Sequence, residues 1–392
     1  MFFVDYPSGA RAPTHQDQKM TTRANGSPLT AVVQAAGWHA IILVLVAIGA
    51  MIASGVLKAM GATGLPLFVA TAIALASLAS VVGEATDQLG ARMGSGATGV
   101  VQSALGNLPE LFISIFALRA GLVVVVQTAL LGSILANSLL VLGLAFAVGG
   151  WRHGTQRFGT ETTRMTAVLL VLSVASLAIP TLATAPGAPD FGHARDLSIV
   201  TSIVLLLVFL ASIPIAIRGG IGPTHAADTG GRKAWPLSVS LTMLALAGLG
   251  AAVMSDWFVE ALRPAMAALH LSEAFVGLVV VAIAGNAVEN VVGITAAARN
   301  EGDLAVSLIL NSSLQIALLL TPALVLISLV LGGPILTLVV PPLLIAALGL
   351  AAILGALIVF DGESSYLEGL ALIGLYVIIA ASVWYGPSVA AS

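Results

Sequence analysis

The sequence predicts an all-α polytopic membrane protein of about eleven transmembrane helices, built as one additional N-terminal helix and two inverted five-helix repeats. Three observations predict it. Of 392 residues, 58% are hydrophobic and only 8% charged, a balance that leaves too little polar surface for a water-soluble globule. Apolar runs of about 18 residues or more recur along the chain, each long enough to cross a hydrocarbon layer. The signature Gly-Asn-x-x-Glu occurs twice, as Gly106–Glu110 and Gly285–Glu289, each time inside such a run.

The elements follow in order. The stretch up to Pro28 is polar, carries Arg11, Lys19 and Arg23, and has no short apolar core followed by small residues, so residues 1–30 are expected to be a retained cytoplasmic tail. Residues 31–62 hold the additional helix, with its apolar run at Ala36–Leu57. The first repeat, 63–218, contains the runs Leu65–Leu89, Ala97–Leu118, Leu122–Val148, Met165–Leu182 and Leu197–Ile217. A glycine-rich polar linker spans 219–236. The second repeat, 237–386, contains Leu237–Phe258, Phe275–Ala298, Leu304–Val330, Ile335–Phe360 and Leu367–Trp384.

Five spans per repeat is an odd number, so equivalent helices run in opposite directions, the plan of many secondary transporters. A constant offset supports it. Gly106 and Gly285, Glu110 and Glu289, and Ser133 and Ser312 are each 179 positions apart. With the N-terminus inside, eleven of the fifteen basic residues fall on the inner side, leaving only Lys58, Arg119, Arg195 and Arg263 outside. That bias assigns the tail to the cytoplasm and the C-terminus to the opposite face.

A carboxylate at mid-membrane depth costs roughly 3 kcal/mol on insertion scales, so Glu110 and Glu289 at matching points imply a shared task, the holding of a cation. On a helix, Asn107 shares a face with Glu110, and Asn286 with Glu289. A hard divalent cation takes six to eight oxygen ligands of mixed charge. The two glutamates supply charge, and Asn107, Asn286, Ser133, Asn137, Ser312, Gln315 and loosened backbone carbonyls are candidates for the rest. Pro109 has no N–H to offer the Leu105 carbonyl, which becomes a candidate ligand; Val288 stands at the equivalent place in the second repeat. For the hydroxyl and amide side chains, interhelical hydrogen bonding is the alternative reading. His39 is expected to be packed or interfacial, and Arg119 and Arg299, at helix ends, to snorkel to the surface.

The run from Gly106 to Gly150 resembles the first signature repeat of the calcium/proton exchangers, within the cation/calcium exchanger superfamily. The run from Gly285 to Ser328 resembles their second. Ala85–Leu89 and Asp361–Gly369 add further matches, so the resemblance covers about Leu65 to Trp384. Two positions depart from the family pattern: Asn290 stands where histidine is usual, and Asn311 where glycine precedes the double serine. The linker has Asp228 as its sole acid, so the resemblance implies no acidic regulatory helix there.

The resemblance implies exchange of Ca2+ or a similar cation for H+ at a central two-glutamate site opened alternately to each face. The residues supply the logic. Two apposed buried carboxylates cannot both stay ionised cheaply once a cation leaves, so protons bind, and a returning cation expels them. Glu110 and Glu289 thereby serve metal binding and proton coupling together. The resemblance also implies that the second and seventh spans move, placing Glu84, Asp87, Asp256 and Glu260 along the access paths; ordinary interfacial charge is the alternative for these four. Alternatives for the function are a Na+-coupled calcium exchanger or a monovalent cation/H+ antiporter of the same fold, and, in another class, a cation channel. No Cys, His-Glu-x-x-His or Gly-x-Ser-x-Gly is present, so an enzyme is not expected and no cofactor is called for. The expected partners are the lipid bilayer and inorganic cations, with no nucleic acid. The expected location is a bacterial inner membrane.

Overall fold

A computed structural model of the chain describes residues 28–90, 105–188, 192–219 and 235–384. The predicted tail up to residue 27, the start of the third span and most of the linker lie outside the described residues, as does the side chain of His39. The described chain is helical almost throughout. Helices α1 (Pro28–Ala59) and α2 (Leu65–Gly90) are followed by α3 (Leu108–Arg119), α4 (Val123–His153), α5 (Thr160–Ala183) and α6 (Ala194–Gly219). The second half contains α7 (Leu237–Leu269), α8 (Glu273–Gly285), α9 (Ala287–Ala298), α10 (Gly302–Ser328), α11 (Pro342–Asp361) and α12 (Tyr366–Trp384). Among the described residues nine helices are long and apolar enough to cross a membrane, and α8 with α9 makes a tenth, bent by 64°.

The 179-residue ruler of the sequence reappears in the backbone. The helix breaks at Asn107 (φ −89°, ψ 16°) and again at Asn286 (φ −98°, ψ 17°). Wider π-helical turns interrupt α4 at Ala136–Val141 and α10 at Ile316–Leu320. The helices α3 and α9 that leave the two breaks are each followed, two residues past their last turn, by a left-handed residue, Gly121 (φ 77°) and Asn300 (φ 64°), residue types that tolerate that conformation.

Helix order sorts the loops onto two faces. Lys58, Arg119, Ala120 and Arg263 share one, hereafter the Lys58 face; Gln88, Trp235, Gln156 and Ala297 share the other, the linker face. On the linker face two short strands pair antiparallel, β1 (Gln156–Arg157) with β2 (Glu363–Ser364), stitching the end of α4 to the turn between α11 and α12.

Packing relies on small residues, as it must where lipid offers no hydrophobic drive between helices. A Cβ on Gly132 of α4 would lie 2.3 Å from the Leu278 carbonyl oxygen of α8, and one on Gly277 would lie 2.1 Å from Thr128 Oγ1. A Cβ on Gly143 would sit 2.8 Å from the Gly369 oxygen, and one on Gly369 2.5 Å from the Ala147 nitrogen, so α4 and α12 meet backbone to backbone. Helix α2 packs antiparallel along α7, with Phe68 stacked on Phe258 at 4.8 Å, and α1 covers α2.

One predicted span needs correcting. The run beginning at Ile335 is not helical until Pro342; residues 331–341 form a non-helical strut on the Lys58 face, with Leu336, Leu338 and Val340 buried and its ends exposed. Pro334, Pro341 and Pro342 explain this, because proline lacks an N–H and holds the residue before it out of the helical region. Side chains of four helices satisfy the strut's backbone. Gln127 Nε2 donates to the Thr337 and Val339 carbonyls (2.8 and 3.0 Å), and Thr181 Oγ1 donates to the Leu338 carbonyl (2.9 Å). In return, the amides of Leu336, Leu338 and Val340 donate to Ser328, Ser198 and Thr181.

Candidate cation site

The two helix breaks put the N-termini of α3 and α9 inside the protein, with Glu110 and Glu289 each in the first turn. That position suits negative charge, since unpaired amides and the helix dipole both leave partial positive charge there. Pro109 occupies the same first turn, where its missing N–H costs nothing. The second break forms without a proline, so the glycine–asparagine pair rather than Pro109 is the shared determinant.

Glu110 is 93% buried and held by both repeats. Ser133 Oγ of α4 donates to its Oε1 at 2.8 Å, and Asn286 Nδ2 donates to the same oxygen at 2.6 Å. Asn286 Nδ2 also lies 2.8 Å from Ser133 Oγ and 2.9 Å from the Ala282 carbonyl. The other end of the amide, Asn286 Oδ1, accepts from Asn137 at 3.4 Å and from Ser312 at 3.5 Å, and Asn137 Nδ2 donates to Ser312 Oγ at 2.9 Å. Glu110 Oε2 is buried with no hydrogen-bond partner. The glutamate's room comes from Gly285, where a Cβ would stand 2.6 Å from Glu110 Cγ.

Glu289 is half-buried, within electrostatic reach of both Glu110 and Asp87. Asn107 does not repeat the role of its counterpart Asn286; its Nδ2 donates to Gln315 Oε1 at 3.4 Å. Leu105 closes the turn before the first break and is half-buried. Seven of the predicted residues thus join two adjoining hydrogen-bonded groups, with Glu289 beside them.

The access residues separate. Glu84 and Asp87 lie half-buried towards the linker face of α2, and Glu84 Oε1 accepts from Gln88 at 2.9 Å. Asp256 and Glu260 are exposed on α7, and Glu260 pairs with Lys58, whose ammonium also sits 4.9 Å from the Trp257 ring. The structure does not draw these last two into the central group. The sequence reading missed Ser138 and Ser313, buried and 3.2 Å apart next to Asn137 and Ser312; their adjacency to predicted polar residues was the available signal. Of the two departures from the family pattern, Asn290 is buried with Oδ1 unpartnered, and Asn311 donates to Ser307 at 3.3 Å.

Two inverted repeats with broken helices and acids at the break define a membrane transporter of the cation-exchanger class, not an enzyme. The sequence profile of the sodium/calcium exchanger protein family matches residues 63–218 and 239–385, and the chain belongs to this family. It is similar to the Ca(2+)/H(+) antiporter ChaA of Bacillus subtilis, 34% identical over 322 residues that cover 80% of this chain and 90% of that protein. It is also similar to a Ca(2+)/H(+) antiporter of Aphanothece halophytica, 30% identical, with 82% and 91% covered. Among solved structures, native YfkE superposes with a TM-score of 0.74 at 30% identity, covering 87% of this chain and 99% of that one.

Proposed function

We propose that the chain exchanges Ca2+ for H+ across a membrane by alternating access at a site built on Glu110 and Glu289. The observation that carries this reading is the unpartnered Oε2 of buried Glu110, with a second carboxylate in electrostatic reach. A buried carboxylate oxygen without a donor is costly, and a proton or a metal ion on it removes the cost. One occupant excludes the other, which is the coupling that antiport requires. ChaA and the Aphanothece protein, both named Ca(2+)/H(+) antiporters, support the choice of cargo.

The other ligands in this reading are Asn107, Asn286, Ser133, Asn137, Ser312, Gln315 and the Leu105 carbonyl. Asn286 presents its nitrogen to Glu110, as suits the protonated or metal-free site; half a turn about its last side-chain torsion brings Oδ1 to a cation instead. The repeats are assigned to 63–218 and 237–386, joined by the 219–236 linker and preceded by the 31–62 helix and the 1–30 tail. The linker face is assigned to the cytoplasm, in a bacterial inner membrane. Helix α3 packs closely along α7 whereas α9 touches α2 lightly, which supports a state closed towards the Lys58 face, with Glu289, Asp87 and Glu84 on the access path from the linker face.

Reconstituted vesicles with an imposed pH gradient test this, with Ca2+, Na+, K+ and Mn2+ offered in turn. Proton-driven Ca2+ uptake that Glu110→Gln and Glu289→Gln each abolish, with protein still inserted, is the expected result. Robust uptake by both variants overturns the two-glutamate site. Ca2+ movement driven by Na+ rather than H+ replaces the coupling ion, and unsaturable, uncoupled flux makes the chain a channel.

A further inference from the structure

We infer that the chain carries a pair of reciprocal latches, one on each face, and that the ion pair Glu84–Arg299 forms on the linker face when the hydrogen bond from Arg263 to Ala120 breaks on the Lys58 face. The inference rests on the alternating-access reading and goes beyond it by naming the contacts that hold each end state.

Arg263 lies near the end of α7, and its Nη2 donates to the Ala120 carbonyl at 3.0 Å. Ala120 is the residue that terminates α3, and its carbonyl sits at the negative end of that helix, where a guanidinium is favoured. The contact therefore ties α7 to the short helix whose first turn carries Glu110.

The internal ruler identifies the counterpart. The 179-residue offset that relates Gly106 to Gly285 and Glu110 to Glu289 also relates α3 to α9, which end at equivalent residues, Arg119 and Ala298, each followed by a left-handed residue at 121 and 300. On this ruler Arg263 corresponds to Glu84, and Ala120 to Arg299. The chemistry of the second latch differs from the first. An acid on the gate helix faces an arginine at the helix end, so two side chains attract where previously a side chain held a backbone carbonyl.

In the described state that second contact is open. Among the described residues neither Glu84 nor Arg299 belongs to an ion pair; Glu84 rests on Gln88, and Gln88 accepts from the Trp235 amide at the start of α7. Arg299 is exposed at the linker face. The inverted repeat requires that when α7 leaves α3, α2 closes on α9, which carries Glu84 to Arg299.

The chain has no cysteine, so paired cysteines can be introduced into the full-length protein without altering the background. In proteoliposomes, Ala120→Cys with Arg263→Cys and Glu84→Cys with Arg299→Cys are treated with a bifunctional thiol reagent about as long as an extended arginine side chain. The first pair is expected to link in the resting, metal-free protein. The second should link only under conditions where linking of the first declines, and locking one pair should prevent the other in a four-cysteine chain. Separately, Glu84→Gln or Arg299→Gln should shift the ratio of the two end states about two- to fivefold, the scale of an exposed ion pair. Exchanging the charges, Glu84→Arg with Arg299→Glu, should restore it.

Linking of both pairs in the same molecules overturns the inference, as does failure of the second pair to link whenever the first is released. Unchanged ratios in both single-charge variants also overturn it. The readout is independent of cargo: latches that switch with Na+ or K+ but not Ca2+ leave the inference standing and sink the calcium reading. Lost reciprocity with intact Ca2+/H+ exchange does the reverse.

Discussion

Asn286 of the second repeat donates to Glu110 of the first at 2.6 Å, whereas its counterpart Asn107 reaches Gln315 rather than Glu289. Two halves with matching backbones thus hold their acids differently. Glu110 is locked into a network that crosses the repeat boundary, and Glu289 stands half-buried beside it, where Asp87 can sense it. The alternating-access reading proposed above expects this inequality, because a site with equal halves would be equally open to both faces.

The inequality predicts unequal mutants. Asn286→Ala removes contacts to Glu110, Ser133 and the Asn137–Ser312 pair at once. Hydrogen bonds to charged groups contribute about 1.5–3 kcal/mol, or roughly ten- to a hundredfold in affinity. Uptake titrated with Ca2+ should show at least a tenfold rise in half-saturation for Asn286→Ala and a smaller one for Asn107→Ala. Equal effects would mean the asymmetry does not matter for binding.

Gly285→Ala should impair exchange without unfolding the protein. The added methyl would fall 2.6 Å from Glu110 Cγ and 2.9 Å from its Oε1, forcing the glutamate from its partners. Normal insertion and thermal stability in detergent with a large drop in proton-driven uptake is the expected outcome.

Gly132→Ala should fail differently. Here the obstruction is the Leu278 backbone, with the oxygen at 2.3 Å and Cα at 2.6 Å, which no rotamer relieves. Helices α4 and α8 must separate, so the melting temperature in detergent should fall along with the yield of folded protein, whichever ion is present.

Gln127→Ala should destabilise the strut at 331–341. Its amide serves two carbonyls of an extended chain that has no helical partners of its own. An unsatisfied buried carbonyl costs about 1–3 kcal/mol. Hydrogen exchange at the Leu338 and Val340 amides should accelerate, while Glu110 and its neighbours stay protected.

Most of the helical layout was legible from the sequence because spans of this length leave a strong hydropathy signal. The duplicated Gly-Asn-x-x-Glu marked the two acids, but the sequence reading laid each motif on a continuous helix and missed the breaks at Asn107 and Asn286, although glycine and asparagine tolerate a turn and an acid suits the helix start that follows. The strut was missed because an apolar extended run has the same hydropathy as an apolar helix; Pro334, Pro341 and Pro342 carried the missing information. The π-helical turns had no signal at all, as they depend on neighbours packing against α4 and α10. Charges on α7 could be counted but not oriented: Glu260 turned out to face Lys58 on α1, a partner fixed only by tertiary packing. Gln127, a lone amide in a run of valines and leucines, was the sequence's hint that some backbone nearby lacked partners.

The glycine contact between α4 and α12 sets a limit on what can travel during a transport cycle. With no side chains interposed at Gly143 and Gly369, neither helix can roll or slip past the other without colliding main chain against main chain. On the alternating-access reading proposed above, the helix that carries Ser133 and Asn137 therefore keeps a fixed relation to α12, and relative motion is expected where larger side chains cushion the contact, such as the Phe68–Phe258 surface of α2 and α7.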